Sequence, residues 1–273
     1  MVAPKTNKEL AFLHELFVAT DWGERFAELI DEHVKLPKAG RALYVAAGTG
    51  GHAIALQERA GALQFVCLDE NEESLELARV KASALKLATE FRQGKPDQLP
   101  FPDDQFDLVV ADGSLVHSER MPRVIAELIR VAAPGATVAV ALPTLSSFGE
   151  FFSIYWEALH NRGLLDHEAD VESLITTLPA VSFLEELAGA AGLNEVASWT
   201  TIEEFAYESS EKFLNSPLIA DFLTPIWLET LPADSEPEVV TELARLINEE
   251  RHEAEFALTV KASLLLGRKE LSQ

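Results

Sequence analysis

Gly48-Thr49-Gly50-Gly51-His52-Ala53 fits the spacing G-x-G-x-x-A. It follows the apolar run Arg41–Ala47 and opens the periodic stretch His52–Ala60. Glycine in such a turn lets the backbone approach a ligand, and the start of a helix supplies unpaired N–H groups. Asp69 closes a second apolar run, Gln64–Leu68. It lies about twenty residues on, where a carboxylate can accept from two ribose hydroxyls. The glycine spacing alone is common. A strand before it, a helix after it and Asp69 beyond it together point to a nucleotide-like ligand.

The elements that must hold these residues alternate regularly. Apolar residues recur at helical spacing from about Asn7 to His33, namely Leu10, Leu13, Leu16 and Phe17, then Phe26, Leu29 and Ile30, with Asp21 as a cap for the second helix. Strand Arg41–Ala47, loop Gly48–Gly51, helix His52–Ala60, strand Gln64–Leu68 and helix Glu72–Leu85 follow. A short strand near Glu90–Arg92, a strand Asp107–Ala111, a helix Pro122–Val131, a turn at Pro134-Gly135 and a strand Thr137–Leu142 continue the series. Such alternation predicts a parallel sheet covered on both faces. Beyond it the pattern is looser: helices Phe148–His160 and Phe183–Ala190, a strand Glu195–Thr201, and an apolar Phe213–Leu231 interrupted by Pro217 and Pro225. A Glu-rich helix Val239–His252 and a long alternating strand Glu255–Gly267 end the chain. One domain over 1–273 is expected: N-terminal helices in 1–40, an α/β core in 41–202, a helical insertion or lid in 203–252, and the last strand and tail in 253–273.

Composition narrows the partners. Asp and Glu number 45 against 22 Lys and Arg, a formal charge of −23. A surface this acidic repels phosphate backbones and anionic membranes, so nucleic acid is not the expected substrate. Apolar stretches such as Thr137–Leu142 are strand-sized, too short to span a bilayer. The first ten residues lack the apolar core of a secretory signal. Cys67 is the only cysteine, which excludes an intrachain disulfide and suits the cytoplasm. No spaced His, Cys or acid set predicts a metal, and no G-x-S-x-G turn is present. His252 reads as a solvent residue at a helix end.

A longer pattern then appears. Gly94-Lys95-Pro96-Asp97-Gln98-Leu99-Pro100-Phe101-Pro102-Asp103-Asp104-Gln105-Phe106-Asp107 resembles G-D-A-x-x-L-P-F-x-D-x-x-F-D. Asp69-Glu70-Asn71-Glu72-Glu73-Ser74-Leu75-Glu76-Leu77-Ala78-Arg79 is similar to D-x-S-x-x-M-L-x-x-A-R, and Arg130-Val131-Ala132-Ala133-Pro134-Gly135 to R-x-L-K-P-G-G. Leu115-Val116-His117 looks like the segment that follows the fourth strand. These motifs, in order from about Ala42 to Pro143, resemble the class I S-adenosylmethionine-dependent methyltransferases, in their small-molecule, quinone-biosynthesis branch. The resemblance implies a doubly wound, Rossmann-like sheet of seven strands with the last antiparallel, the place of Glu255–Gly267. It implies S-adenosylmethionine as cofactor, with Tyr44, Ala46, Gly48, Thr49, Gly50, Asp69, Glu70, Pro96, Asp97 and Asp112 at cofactor-binding positions.

Several of those positions depart from the family pattern. Tyr44 stands where the family has an acid, and Ala46 where it has the first glycine of its loop. Lys95 replaces an aspartate that accepts from the adenine amino group, and Pro96 has no N–H to offer the ring. Each lost hydrogen bond costs about 0.5–1.5 kcal/mol, or about 1.5–3 when one partner is charged. Losing two or three weakens binding by roughly two to three orders of magnitude unless others replace them. Asp97 is the candidate replacement.

Methyl transfer from a sulfonium is an in-line attack, so the protein mostly aligns the acceptor and excludes water. An oxygen acceptor adds the need for a base, for which His117 is the candidate. Trp22, His117, Tyr155 and Trp156 are the candidate lining of an acceptor pocket. The sequence thus predicts methyl transfer from S-adenosylmethionine to a small, largely apolar acceptor. Its alternative is a catalytically silent methyltransferase-like binding or scaffolding protein, which Tyr44, Ala46, Lys95 and Pro96 favour. A nicotinamide-dependent dehydrogenase ranks third, opposed by the Leu99–Asp107 segment and the antiparallel last strand.

Overall fold

The computed structural model describes residues 5–164, 168–250 and 255–271, and His252 lies outside them. The chain begins with α1 (Asn7–Leu13), closed by a capping box in which Thr6 Oγ1 accepts from the Glu9 N–H and Glu9 accepts from the Thr6 N–H. A π-helical stretch His14–Gly23 follows and runs without a break into α2 (Glu24–His33). The wider turn rotates the apolar stripe. Val18 and Trp22 face inward, whereas Leu16 and Phe17, expected inside, are 60% and 55% exposed. Asp21 caps no helix. It sits within the continuous turn and pairs with Arg25 at 3.5 Å.

The alternating series forms β1 (Gly40–Val45), α3 (Gly51–Arg59), β2 (Leu63–Asp69), α4 (Glu72–Ala84), β3 (Glu90–Gln93), β4 (Phe106–Asp112), α5 (Met121–Val131) and β5 (Ala132–Pro143). Pro134-Gly135, expected to turn, lies inside β5, opposite a shift of register between Phe106 and Leu108. Further on are α6 (Gly149–Asn161), α7 (Glu168–Thr177), α8 (Val181–Ala190), β6 (Leu193–Tyr207), α9 (Ser210–Leu214), α10 (Thr224–Trp227), α11 (Glu236–Glu250) and β7 (Phe256–Lys269). The seven strands lie in the order β3-β2-β1-β4-β5-β7-β6. β1 pairs in parallel with both β2 and β4, β2 with β3, and β4 with β5, while β7 is antiparallel. β7 takes the antiparallel place expected of it, between β5 and β6.

Leu43 and Val45 of β1, Val109 and Ala111 of β4, and Val138 and Val140 of β5 pack beneath α5, whose Val124, Ile125, Leu128 and Ile129 supply the facing stripe. Central strands buried on both sides explain why their sequence is nearly continuous in apolar residues. The chain steps outward from β1 to β2 and β3, then returns to β4 on the other side. That reversal opens a crevice at the carboxyl ends of β1 and β4, where open α/β sheets bind ligands.

The described chain falls into two compact units. One comprises residues 1–142, 180–200 and 262–273, the other 143–179 and 201–261. The second unit builds its own aromatic core: Trp227 stacks on Phe151 with ring centroids 4.2 Å apart, and Phe213 packs edge-on against Phe256 at 4.8 Å. Its buried Glu242 accepts from Arg245 and Asn161, and the Arg245 guanidinium holds its carboxyl down at about 2. Pro217 and Pro225 sit at the starts of short helical turns there. Among the described residues no helix is long and apolar enough to cross a membrane.

Candidate functional site

The glycine turn is shaped by backbone angles that side chains resist. Ala46, Gly48 and Gly50 have φ of 55°, 53° and 77°, in the left-handed region. A Cβ on Gly48 would lie 2.6 Å from the His14 ring, and one on Gly50 would lie 2.7 Å from Ala78. The turn is therefore packed without side chains, with the His14 ring over Gly48 and Ala78 against Gly50. Asp69 leaves β2 directly beside it. Its Oδ2 accepts from the Gly48 N–H at 2.7 Å and its Oδ1 from the Asn71 N–H at 2.9 Å. Burial pushes the Asp69 carboxyl above its ordinary range, and those two N–H donors pull the other way.

A cavity of about 370 Å3 opens against this turn. Tyr44 at the end of β1, Asp112 at the end of β4, Thr49 and His52 line one side, and His14 and Asp31 the other. Burial raises the Asp112 carboxyl, whereas its hydrogen bonds from Ser114 and the nearby His14 and His52 rings lower it, and burial prevails. Burial also holds the His14 imidazole below its usual value. Glu15 lines the same cavity and is gripped by Lys81 of α4 at 2.7–2.8 Å.

Tyr44, His52 and Asp31 form a chain along the cavity wall. Tyr44 Oη lies 2.8 Å from His52 Nδ1, and His52 Nε2 lies 2.9 Å from Asp31 Oδ1. Arg59 closes on the same Asp31 oxygen. Burial works against the Asp31 carboxylate, but hydrogen bonds from His52 and Arg59 outweigh it and hold the group below its ordinary range. Tyr44 is 3% exposed, and burial, with Asp112 next, pushes its phenol well above the usual value.

Just beyond the end of β2 lies a second polar cluster, built from surface ion pairs. Arg120 Nη1 and Nη2 donate to the two oxygens of Glu70 at 2.8 and 3.1 Å, and Nη2 also donates to Asp97 Oδ1 at 2.6 Å. Asp97 is thus engaged by a cation, which holds its carboxyl below the ordinary range. Lys95 and Gln98 form a single antiparallel bridge around Pro96 and Asp97.

The structure gathers Tyr44, Thr49 and Asp112 on one cavity, next to Gly48, Gly50 and Asp69. The other sequence candidates lie elsewhere. Trp22 is buried against Phe26. His117 uses Nδ1 to accept from the Glu119 N–H at 3.3 Å, capping a short 3-10 turn, and does not line the cavity. Tyr155 is fully buried in the second unit, stacked on Phe151, and Trp156 is 47% exposed and stacked on His160. His14, Asp31 and Arg120 escaped sequence reasoning. His14 and Asp31 precede the first strand, on helices that read only as an amphipathic preface. Arg120 lies outside every motif. Cys67 is a packing residue, its thiol pushed up to about 12 by burial.

Comparison with known proteins agrees with this geometry. Residues 42–135 match a family model described as a methyltransferase domain. A demethylmenaquinone methyltransferase of Thermus thermophilus is 34% identical over 205 residues, covering 71% of this chain and 90% of that protein. One from Deinococcus radiodurans is also 34% identical, over 145 residues that make up 52% of this chain and 59% of the relative. Among solved structures, the YcgJ protein of Bacillus subtilis superposes with a TM-score of 0.61 at 18% identity, over 91% of this chain and all of that one. The glycine turn, the acid at the end of β2 and the 3-2-1-4-5-7-6 sheet therefore have one common source: the chain belongs to the class I S-adenosylmethionine-dependent methyltransferases.

Proposed function

We propose that this protein uses S-adenosylmethionine to methylate a small, largely apolar acceptor, with a reduced quinone the foremost candidate. The observation that carries the cofactor half is the meeting of Asp69 with the Gly48 N–H at 2.7 Å. It brings a carboxylate for two ribose hydroxyls to the same point as the bare backbone of the turn. The cavity beyond carries Asp112 and Glu15, carboxyl groups whose oxygens suit the positive sulfonium and ammonium of the cofactor. The residues present therefore fit the group. When bound, it supplies a methyl on a positively charged sulfur. The chain's own part is to hold that sulfur against the β4 end, to align the acceptor with it, and to keep water out under the N-terminal helices.

The acceptor half rests on the two relatives named above, which are demethylmenaquinone methyltransferases. The cytoplasm is the proposed working compartment, on the single buried cysteine. A silent binding protein is the second reading. It is favoured by the adenine end, where Lys95 and Pro96 lack the family's contacts and Arg120 occupies Asp97.

Calorimetric titration with S-adenosylhomocysteine separates the two readings. The first expects saturable binding, weaker than the fold usually gives but measurable. No binding at millimolar ligand would favour the silent reading and withdraw the enzyme assignment. Transfer of labelled methyl from S-adenosylmethionine to a short-chain demethylmenaquinol tests the acceptor.

A further inference from the structure

We propose that Tyr44, backed by His52 and Asp31, is the group that accepts the proton of a hydroxyl-bearing methyl acceptor. The direction of the chain follows from chemistry. Asp31 as a carboxylate can only accept, so His52 Nε2, 2.9 Å away, must carry the proton of that bond. A neutral imidazole with its proton on Nε2 has a lone pair on Nδ1, so the Tyr44 hydroxyl donates to it across 2.8 Å. The Tyr44 oxygen then keeps its own lone pairs for a donor in the cavity that it lines. Asp31 is itself fixed from behind by Arg59. Base, orienting partner and cavity are thus assembled in one line, the arrangement by which a proton acceptor is recognised.

Burial keeps the Tyr44 phenol protonated, so Tyr44 takes a proton only as it passes its own to His52. The acceptor hydroxyl gives its proton to Tyr44 Oη while the Tyr44 proton moves to His52 Nδ1, and Asp31 stabilises the resulting imidazolium. The electron pair left on the acceptor, at oxygen or delocalised to a ring carbon, forms the bond to the methyl carbon as the S–CH3 pair returns to sulfur, leaving a thioether. If the new bond is at a ring carbon, that carbon loses its proton to water and the oxygen recovers its own through the same chain. Tyr44 is the catalytic residue here; His52 and Asp31 are positioning residues. His117 is not needed for this step.

The proposal rests on the methyltransferase reading, and its test separates the two. Nitrogen-15 NMR of histidine-labelled full-length protein, with and without S-adenosylhomocysteine, reads the tautomer directly, the His52 signal being assigned with His52→Gln. We expect protonated Nε2 and a hydrogen-bonded, unprotonated Nδ1 whose shift moves in Tyr44→Phe. A proton on Nδ1 in the neutral ring, or a His52 signal indifferent to Tyr44→Phe, would overturn the proposal whatever the acceptor.

With short-chain demethylmenaquinol as probe, Tyr44→Phe should lower kcat by roughly 100- to 10,000-fold. Turnover is read at saturating S-adenosylmethionine, so that a change of cofactor affinity in the variant does not enter kcat. His52→Ala should lose turnover similarly and recover about tenfold or more in added imidazole, a rescue that a merely structural histidine would not show. Native turnover in Tyr44→Phe overturns the relay. A native protein that leaves the demethylmenaquinol unmethylated defeats the quinone reading instead, and the NMR result then decides the relay alone.

Discussion

The two clusters proposed to hold the cofactor are built on different physical principles. At the glycine-turn end, Gly48, Asp69, Tyr44 and Asp112 are fixed by buried strand ends, positive φ angles and short hydrogen bonds. At the proposed adenine end, Arg120 pairs with Glu70 and Asp97 near the surface, and Lys95 and Gln98 bridge around Pro96 and Asp97. Exposed pairs are worth about 0–1 kcal/mol each and rearrange readily. A buried carboxylate that loses its donors pays much more. The first end is therefore intolerant of change at Gly48 and Asp69, where the family pattern stands although Tyr44 and Ala46 depart from it, whereas the second can drift and be rebuilt.

The largest effect should come from breaking the rigid end. Asp69→Ala removes the acceptor for Gly48 and Asn71 together with the proposed ribose contact. Two bonds to a charged group, at about 1.5–3 kcal/mol each, imply a loss of affinity beyond about 100-fold. Unchanged binding of S-adenosylhomocysteine in calorimetry would show that the ligand lies elsewhere.

The permissive end should respond in the opposite direction. Replacing Lys95 with Asp and Pro96 with Ala restores an acceptor and a donor, and should tighten binding of S-adenosylhomocysteine by about 1–3 kcal/mol. An unimproved double variant would mean that the Arg120–Asp97 pair already serves the base, or that adenine does not lie there.

A smaller effect concerns Asp112, whose carboxyl burial raises. The folded protein then holds this proton more tightly than the unfolded chain does. Stability contributed at Asp112 accordingly falls as pH rises from the ordinary carboxylate range through the raised value. Asp112→Asn should remove that slope, which urea titrations from pH 4 to 7 would measure, while weakening binding of the cationic cofactor. An identical slope in the variant would assign it to other groups.

Much of the crevice was legible in the sequence because its logic is local. A strand, a G-x-G turn and a helix lie within twenty residues of one another, and Asp69 marks the end of the next strand, so the alternation from Arg41 to Leu142 carried both fold and turn. The π-helical stretch was not legible. Leu16 and Phe17 fit an α-helical stripe, and only packing beneath Val18 and Trp22 selects the wider turn. His117 drew attention by following β4, yet the backbone folds its ring onto the Glu119 N–H.

What the sequence alone determined is the order of elements, the glycine turn and the acid at the end of β2, because hydrophobic period and glycine placement act over a few residues. Only the tertiary structure decided which distant polar groups meet. Asp31 reaches His52 across 21 positions, Asp97 reaches Arg120 across 23, and His14 settles over Gly48. Such pairings depend on where helices dock against a sheet, and side-chain polarity by itself encodes no partner, so the chain had to fold before Tyr44 could be read as anything but a departure from the family.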